Sequence, residues 1–307
     1  MKNRFTRGKA RGIVYGMTLI RLAVWVQAAR PRTLLISFCP VAVGSVVAYS
    51  QGAWEPILAI FTLLTAFAIQ IGTNLANDYF DFKRGADTSA RKGPLRVTQV
   101  GLVSPSAMQF AYIIAFSLAA LFGSYLIWTG GALFAWLLAS AILLGILYTA
   151  GPFSLAYLGI ADIFVFLFFG PIATGTTALL QTGRFSSDAF LAGIGQGGLA
   201  WAVLLLNNLR DIDEDRAAGK KTLCVRGGKK VGQLLYLAST STACLAPCIW
   251  IKERPGVLLT YLLIFPAALL VLRIFKSCET AAITASFKQT PLLLLLYTLL
   301  FCIGWML

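Results

Sequence analysis

The sequence contains no histidine and little charge of either sign. Charged residues make up 12% of the 307, and only 12 residues are Asp or Glu. Soluble domains carry roughly twice that charged fraction. Without histidine, neither a zinc centre nor an imidazole general base is expected. The six cysteines form no Cys-x-x-Cys pair, so a thiolate metal site is not indicated either.

Long apolar runs occupy most of the chain. Hydrophobic residues make up 58% of it and the mean hydropathy is +0.78, and several runs reach the roughly 18–20 residues with which a helix crosses a bilayer. A β-barrel would show short alternating segments instead. We therefore predict an all-α integral membrane protein embedded in a lipid bilayer, with one domain over residues 33–307. The nine predicted transmembrane helices are 33–51, 56–80, 105–128, 131–148, 157–181, 188–209, 231–251, 256–274 and 291–307.

The net charge of +14 would suggest a nucleic-acid partner in a soluble protein. Here 23 of the 26 Lys and Arg residues fall in the N-terminal segment and in loops expected on one side, and 3 fall on the other. The positive-inside rule therefore predicts a cytoplasmic N-terminus, a C-terminus on the opposite side and no nucleic-acid binding. A bacterial inner membrane fits this asymmetry. Residues 1–32 are predicted to form a basic cytoplasmic segment with a helix lying on the membrane surface, anchored by Trp25.

Seven of the twelve acidic residues lie in two stretches, NLANDYFDFKRGAD (Asn74–Asp87) and NNLRDIDEDRAAGKKTL (Asn207–Leu223). Both stretches follow predicted spans on the cytoplasmic side. Within each, two oxygen-bearing side chains stand four residues apart and share a helix face: Asn77 with Asp81, and Asp211 with Asp215. Oxygen ligands without Cys or His suit Mg²⁺, which usually joins carboxylates to substrate phosphates.

Basic residues are interleaved with these acids, so metal and cations together could clamp a diphosphate. A diphosphate site beside apolar helices suggests a substrate with a long apolar tail, and a prenyl diphosphate is such a molecule. Departure of the diphosphate would leave a carbocation-like allylic carbon for an electron-rich ring to attack. We expect the aromatic run IFVFLFFGP (Ile163–Pro171) to line a pocket that excludes water and favours that cation.

A secondary transporter is the main alternative of another class, because it too combines many spans with acids in the membrane. Transporter sites, however, tend to lie near the bilayer midplane. The two acidic stretches lie at one membrane face with Arg and Lys among them, which favours a phosphate-handling enzyme.

The motifs N-D-x-x-D (Asn77–Asp81) and D-x-D-x-D (Asp211–Asp215) resemble the two signatures of the UbiA superfamily of intramembrane aromatic prenyltransferases. The resemblance implies nine transmembrane helices around a central cavity and Mg²⁺-dependent transfer of polyprenyl chains to aromatic acceptors. Where that superfamily often has a third Asp, this chain has Gly85, and the acid follows at Asp87.

Further stretches are similar to the branch of the family that prenylates 1,4-dihydroxy-2-naphthoate with loss of CO₂ and diphosphate in menaquinone biosynthesis. They are ARPRTL (Ala29–Leu34), GPLRVTQVGLVSP (Gly93–Pro105) and YTAGPFSLAYLGIADIFVFLFFGP (Tyr148–Pro171). Phytyl transfer for phylloquinone, and prenylation of 4-hydroxybenzoate or homogentisate on the same scaffold, remain alternatives.

The motif match assigns the metal–diphosphate site to Asn77, Asp78, Asp81, Asp211 and Asp215, with Asp87 and Asp213 as second choices. Of these, Asp81, Asp211 and Asp215 are also assigned as catalytic. Position and charge assign diphosphate contacts to Lys83, Arg84, Arg210 and Lys220. The carboxylate of the acceptor needs a cation, for which Arg30 and Arg96 are the candidates. Asp162, just inside the fifth predicted span, is a candidate partner or base for a naphthol hydroxyl.

Overall fold

The computed structural model describes residues 22–86, 93, 96–152 and 154–307, and this part of the chain is helical with connecting turns. Residues 22–29 are helical and precede the first full helix. The helices that follow are α1 Pro31–Ser50, α2 Pro56–Lys83, α3 Pro105–Gly130, α4 Ala132–Leu147, α5 Leu155–Leu158, α6 Ala161–Phe168, α7 Pro171–Thr182, α8 Ser187–Arg210, α9 Ile212–Ala217, α10 Leu223–Leu245, α11 Ile264–Lys276 and α12 Thr280–Met306. Two 3₁₀ segments, Ala246–Trp250 and Pro255–Leu263, lie between α10 and α11.

Within the described residues, seven helical stretches are long and apolar enough to cross a membrane. The chain is therefore an all-helical integral membrane protein, as predicted. Each of the nine predicted spans overlaps one helix or up to three consecutive helical segments. Two of the nine fall outside the seven: α4 is apolar but has only 16 residues, and α10 begins with a basic stretch.

The fifth predicted span, 157–181, is not one continuous helix. It is divided into α5, α6 and α7, and the break between α6 and α7 lies at Gly170. A Cβ atom at Gly170 would lie 2.6 Å from the carbonyl oxygen of Gly193 and from the Cα of Gly197 on α8. The absence of a side chain at Gly170 therefore lets the two backbones approach more closely than any larger residue would permit.

Of two other predicted boundaries, one agrees with a kink and one was wrong. Helix α10 runs from Leu223 but is interrupted at Gly228, whose φ is 74°, so the part after the kink begins close to the predicted residue 231. Helix α12 begins at Thr280 rather than at residue 291, because Pro291 lies inside the helix instead of starting it. The interfacial helix predicted within 1–32 lies largely outside the described residues; Trp25 itself packs against the small core around Leu75 and Val97.

Proline and hydroxyl side chains fix where the helices start. A proline occupies the first turn of α1, α2, α3 and α7, where its missing N–H leaves no hydrogen bond unmade. The side chains of Ser104, Ser186 and Thr222 accept hydrogen bonds from backbone N–H groups in the first turns of α3, α8 and α10. These caps satisfy donors that the helix itself leaves unpaired.

The helices enclose a cavity of about 230 Å³ lined by α1, α2, α3, α4, α6 and α7. Its walls are mainly apolar, and they include Phe164, Phe168 and Phe169 of the aromatic run. The largest hydrophobic core lies beside this cavity and is built mainly from α1, α8, α10, α11 and α12. Tyr148, directly after α4, lines the cavity and interacts electrostatically with Asp81, Asp162 and Asp215. Two of these acids belong to the two acidic motifs, so the motifs lie at that end of the cavity.

Candidate active site

The first acidic motif lies in the last two turns of α2, and its three oxygen-bearing side chains are buried. The carboxylate of Asp81 accepts a hydrogen bond from the Arg96 guanidinium, with Nη2 3.1 Å from Oδ2. Asp78 accepts one from the backbone N–H of Thr98. Asn77 accepts one from the hydroxyl of Thr149. The segment around residues 96–98 and the turn after α4 thus hold this motif in place.

The second motif spans the turn from α8 to α9, with Asp211 and Asp215 both buried. The backbone N–H of Asp215 donates to the carbonyl of Asp211 at 2.7 Å, so the two acids stand one turn apart. Arg210 binds both carboxylate oxygens of Asp211, at 2.6 and 2.7 Å, and also the side-chain oxygen of Asn207. This bidentate geometry fixes the planes of both groups.

Lys220 brings the two motifs together. Its ammonium nitrogen lies 3.2 Å from Oδ1 of Asp215 and 3.9 Å from Oδ2 of Asp81. Burial opposes the charged form of this lysine, but the carboxylates of Asp81 and Asp215 outweigh burial and raise the pKa of Lys220. Burial also raises the pKa of Asp215, with Lys220 lowering it and Asp211 raising it further. The cluster therefore holds its lysine charged and has a carboxyl that needs further positive charge.

These residues fit a hard cation bound jointly with a phosphate ligand. Within the described residues, no group of three or more acidic or thiol side chains converges closely enough to hold a metal by itself. One buried oxygen of Asp81, Oδ1, nevertheless has no hydrogen-bond partner. A buried carboxylate oxygen without a partner is costly, so an occupant that satisfies it is expected. Mg²⁺ with substrate phosphates completing its coordination matches this arrangement.

The loop between α4 and α6 covers the site and contacts both motifs. Arg84, just after the first motif, donates to Ser154 Oγ and Gly151 O, and its guanidinium carbon lies 4.2 Å from the centre of the Tyr157 ring. The Lys220 ammonium lies 5.6 Å from the same ring. The backbone N–H of Lys221 donates to the Tyr157 carbonyl at 3.1 Å.

The approach of this loop to the second motif depends on a glycine. Gly159 has a φ of 73°, and any Cβ there would collide with the carbonyl oxygen of Lys221. Sequence reasoning quoted this stretch for its resemblance but assigned no role to Tyr157. An aromatic residue in a loop without charged neighbours in sequence gives no signal that two cations of distant segments will contact its ring.

The remaining predicted residues are divided between the site and the surface. Arg30 interacts electrostatically with Asp78 and Tyr148. Asp162 is buried at the start of α6, where its Oδ1 accepts a hydrogen bond from Trp201 Nε1 at 2.8 Å. Asp213 is exposed and lies 3.7 Å from Arg216. Lys83 is exposed, with its ammonium over the ring of Tyr79 rather than among the buried acids. Asp87 lies outside the described residues.

Known proteins match both the sequence and the fold. Residues 37–297 match the UbiA prenyltransferase family. The chain is 34% identical over 295 residues to the 1,4-dihydroxy-2-naphthoate octaprenyltransferase of Haemophilus influenzae, covering 92% of this chain and 96% of that protein. The corresponding Escherichia coli enzyme is 35% identical, with 92% and 95% covered. A UbiA homolog from Archaeoglobus fulgidus, solved bound to GPP and Mg²⁺, superposes with a TM-score of 0.65 at 17% identity, covering 91% and 99% of the two chains.

Proposed function

The chain belongs to the UbiA prenyltransferase family, and we propose that it transfers a polyprenyl group from a prenyl diphosphate to 1,4-dihydroxy-2-naphthoate. The products are demethylmenaquinone in its reduced (quinol) form, CO₂ and diphosphate, because the transfer itself oxidises nothing. In this reaction the bond between the allylic carbon and the diphosphate oxygen breaks. The ring carbon that bears the carboxylate attacks the allylic carbon, and loss of CO₂ returns the electron pair to the ring.

One observation carries the proposal: Lys220 joins Asp81 to Asp215 at the end of an apolar cavity. Acids from both motifs and a partly buried cation meet where a diphosphate head would lie, while the cavity offers space for a hydrocarbon tail. The apolar walls exclude water that would otherwise capture the allylic cation. The names of the relatives, which are similar over nearly the whole chain, support the naphthoate as acceptor.

We assign the metal to the two motifs. Asn77, Asp78, Asp81, Asp211 and Asp215 would hold Mg²⁺, which neutralises charge on the departing diphosphate when it is bound. The catalytic assignment of Asp81, Asp211 and Asp215 rests on this geometry.

Cations of the chain supply the remaining charge for the diphosphate. Lys220 and Arg96 already contact carboxylates of the cluster, and Arg84 is held beside it by the covering loop. Arg210 orients Asp211. Lys83 is the weakest of the proposed contacts because it is exposed and lies over Tyr79.

For the acceptor, Arg30 and Arg96 remain the proposed partners of the carboxylate, and Arg30 interacts electrostatically with Tyr148 on the cavity wall. Asp162 is the proposed partner of a ring hydroxyl, although its Oδ1 already accepts a hydrogen bond from Trp201.

We also propose nine spans over residues 33–307, with the N-terminus and both acidic motifs in the cytoplasm and the C-terminus outside. The distribution of 23 of the 26 basic residues supports this orientation in a bacterial inner membrane.

The test is an assay of the purified protein in nanodiscs with 1,4-dihydroxy-2-naphthoate and geranylgeranyl diphosphate, following CO₂ and the prenylated product. Product and CO₂ are expected with Mg²⁺ and should disappear when EDTA chelates the metal. Parallel reactions contain 4-hydroxybenzoate or homogentisate as acceptor, or phytyl diphosphate as donor. Transfer to another acceptor alone would reassign the substrate, and absence of any transfer by folded protein would refute the proposed reaction.

A further inference from the structure

One polar side chain on the cavity wall is not used by the metal–diphosphate site. Gln70 of α2 lines the cavity and is only 9% exposed. Its side-chain oxygen accepts a hydrogen bond from the buried hydroxyl of Ser37 on α1, at 3.3 Å. Ser37 also lines the cavity. A glutamine amide on a mainly apolar wall needs a reason, because burying a polar group without partners costs free energy.

Only half of this amide is satisfied by the protein. Within the described part of the chain, the amide nitrogen of Gln70 donates no hydrogen bond, whereas the oxygen is bonded to Ser37. The Ser37 hydroxyl donates to that oxygen and thereby turns the nitrogen away from α1. A molecule in the cavity would find an N–H donor held in a fixed direction.

The position of Gln70 along α2 matches the place where the two substrates must meet. Gln70, Asn77 and Asp81 lie on one face of α2, because separations of 7 and 11 residues are close to whole turns. Seven residues correspond to ~10 Å along a helix axis. Gln70 therefore lies about one fused ring system deeper than the acids that would hold the diphosphate. The allylic carbon is bonded to the diphosphate, so an aromatic acceptor that attacks it lies next to the acids, and its rings can extend from there to the depth of Gln70.

The chemistry of the substrates selects the partner of this donor. A prenyl tail contains no atom that accepts a hydrogen bond, and the amide would be left unpaired against it. A hydroxylated aromatic acceptor carries oxygens directly on the ring. A hydrogen bond to one of them would hold the ring in one orientation and present one carbon to the allylic centre.

We propose that the amide nitrogen of Gln70 donates a hydrogen bond to a ring hydroxyl oxygen of the acceptor and that Ser37 fixes this amide. This assignment deepens the proposed function and rests on it for the identity of the acceptor. Gln70 binds the acceptor, and Ser37 is a positioning residue.

Gln196 supplies a matched control. It is a fully buried glutamine whose oxygen accepts a hydrogen bond from Thr298, and its amide nitrogen is also without a partner. It lies on α8 and does not line the cavity. Substitution of either glutamine by leucine removes a buried amide and one interhelical hydrogen bond, but only Gln70 faces the acceptor.

The experiment compares wild type with Gln70→Leu, Ser37→Ala and Gln196→Leu in nanodiscs. Gln70→Leu is expected to raise KM and Kd for 1,4-dihydroxy-2-naphthoate about tenfold, with KM for geranylgeranyl diphosphate within about twofold of wild type. Ser37→Ala should show a smaller shift in the same direction, and Gln196→Leu none. Wild type should also prefer 1,4-dihydroxy-2-naphthoate over an analogue lacking one ring hydroxyl, and Gln70→Leu should lose that preference.

Equal rises in KM for both substrates, or an unchanged preference between the acceptors in folded Gln70→Leu, would overturn the assignment. Equilibrium binding of the acceptor separates this proposal from the proposed reaction, because binding needs no turnover. Acceptor binding that depends on Gln70 without turnover would refute the reaction and keep the subsite. Turnover unaffected by Gln70→Leu would keep the reaction and refute the subsite.

Discussion

The ammonium of Lys220 is partly buried and lies 3.2 Å from the carboxylate of Asp215. It also reaches Asp81 of the first motif at 3.9 Å. This lysine is therefore the direct link between the two acidic motifs. The adjacent Lys221 is exposed and contributes only its backbone N–H to the Tyr157 carbonyl.

Lys220→Met should lower kcat/KM for the prenyl diphosphate by at least about tenfold, because a partly buried charge that faces both carboxylates and the proposed substrate is removed. Thermal stability should also fall, since Asp215 loses its counter-charge. Lys221→Met is the control and should behave like wild type in both respects. Equal effects of the two substitutions, measured by steady-state kinetics and thermal unfolding, would contradict the central position of Lys220.

Asp81→Asn should reduce turnover by at least ~10²–10³-fold while the protein remains folded. The amide keeps the shape of the side chain but cannot neutralise a metal, and Asp81 carries the buried oxygen without a partner. Asp213→Asn is the control, because Asp213 is exposed and pairs with Arg216. Product formation and the unfolding temperature are measured for both. Near-normal turnover of Asp81→Asn would remove the argument for a metal clamp.

Tyr157→Leu should raise KM for the prenyl diphosphate about three- to tenfold, because the ring face that contacts Arg84 and Lys220 is lost. Tyr157→Phe keeps this face and should stay within about twofold of wild type. If the hydroxyl rather than the ring were important, both variants would be impaired to the same extent. Kinetics of the two variants at saturating acceptor decide between these outcomes.

The proposed topology predicts that residue 221 faces the cytoplasm and residue 184 the opposite side. On a cysteine-free background, Lys221→Cys should resist an impermeant maleimide in whole cells and react after the membrane is opened. Arg184→Cys, exposed in the turn between α7 and α8, should react in whole cells. The reverse pattern of labelling would invert the orientation of the bundle.

The clustering of the acids was predictable from the sequence for two reasons. Acidic residues are rare in this chain, and the acids of each motif are spaced so that they share one face of a helix. Asn77, Asp78 and Asp81 are indeed buried together, and so are Asp211 and Asp215. The sequence also placed most helices, since a long apolar run has few alternatives to a helix. The sequence could not show which basic residue would contact the acids, because Lys83 and Lys220 both follow an acidic motif closely. Of these two, only Lys220 contacts the acids.

Features that depend on distant contacts were not predictable. Gly170, at the break, packs closely against Gly193 and Gly197 of α8, which are distant in sequence. The start of α12 was missed because Pro291 lies inside that helix instead of beginning it. Tyr157 and Gln70 have unremarkable neighbours in sequence. Their importance appears only when Arg84, Lys220 and Ser37 are placed beside them.

The contact between Asp81 and Lys220 also has a consequence for the order in which the site is assembled during synthesis of the chain. The two residues belong to opposite halves of the chain, so the first motif is synthesised well before its lysine exists. Until the second half is inserted, Arg96 is the described cation that contacts Asp81 directly. A chain that stops before residue 220 therefore lacks the ammonium that links the two motifs. Both halves of the chain must be present in one bundle before the described cluster is complete.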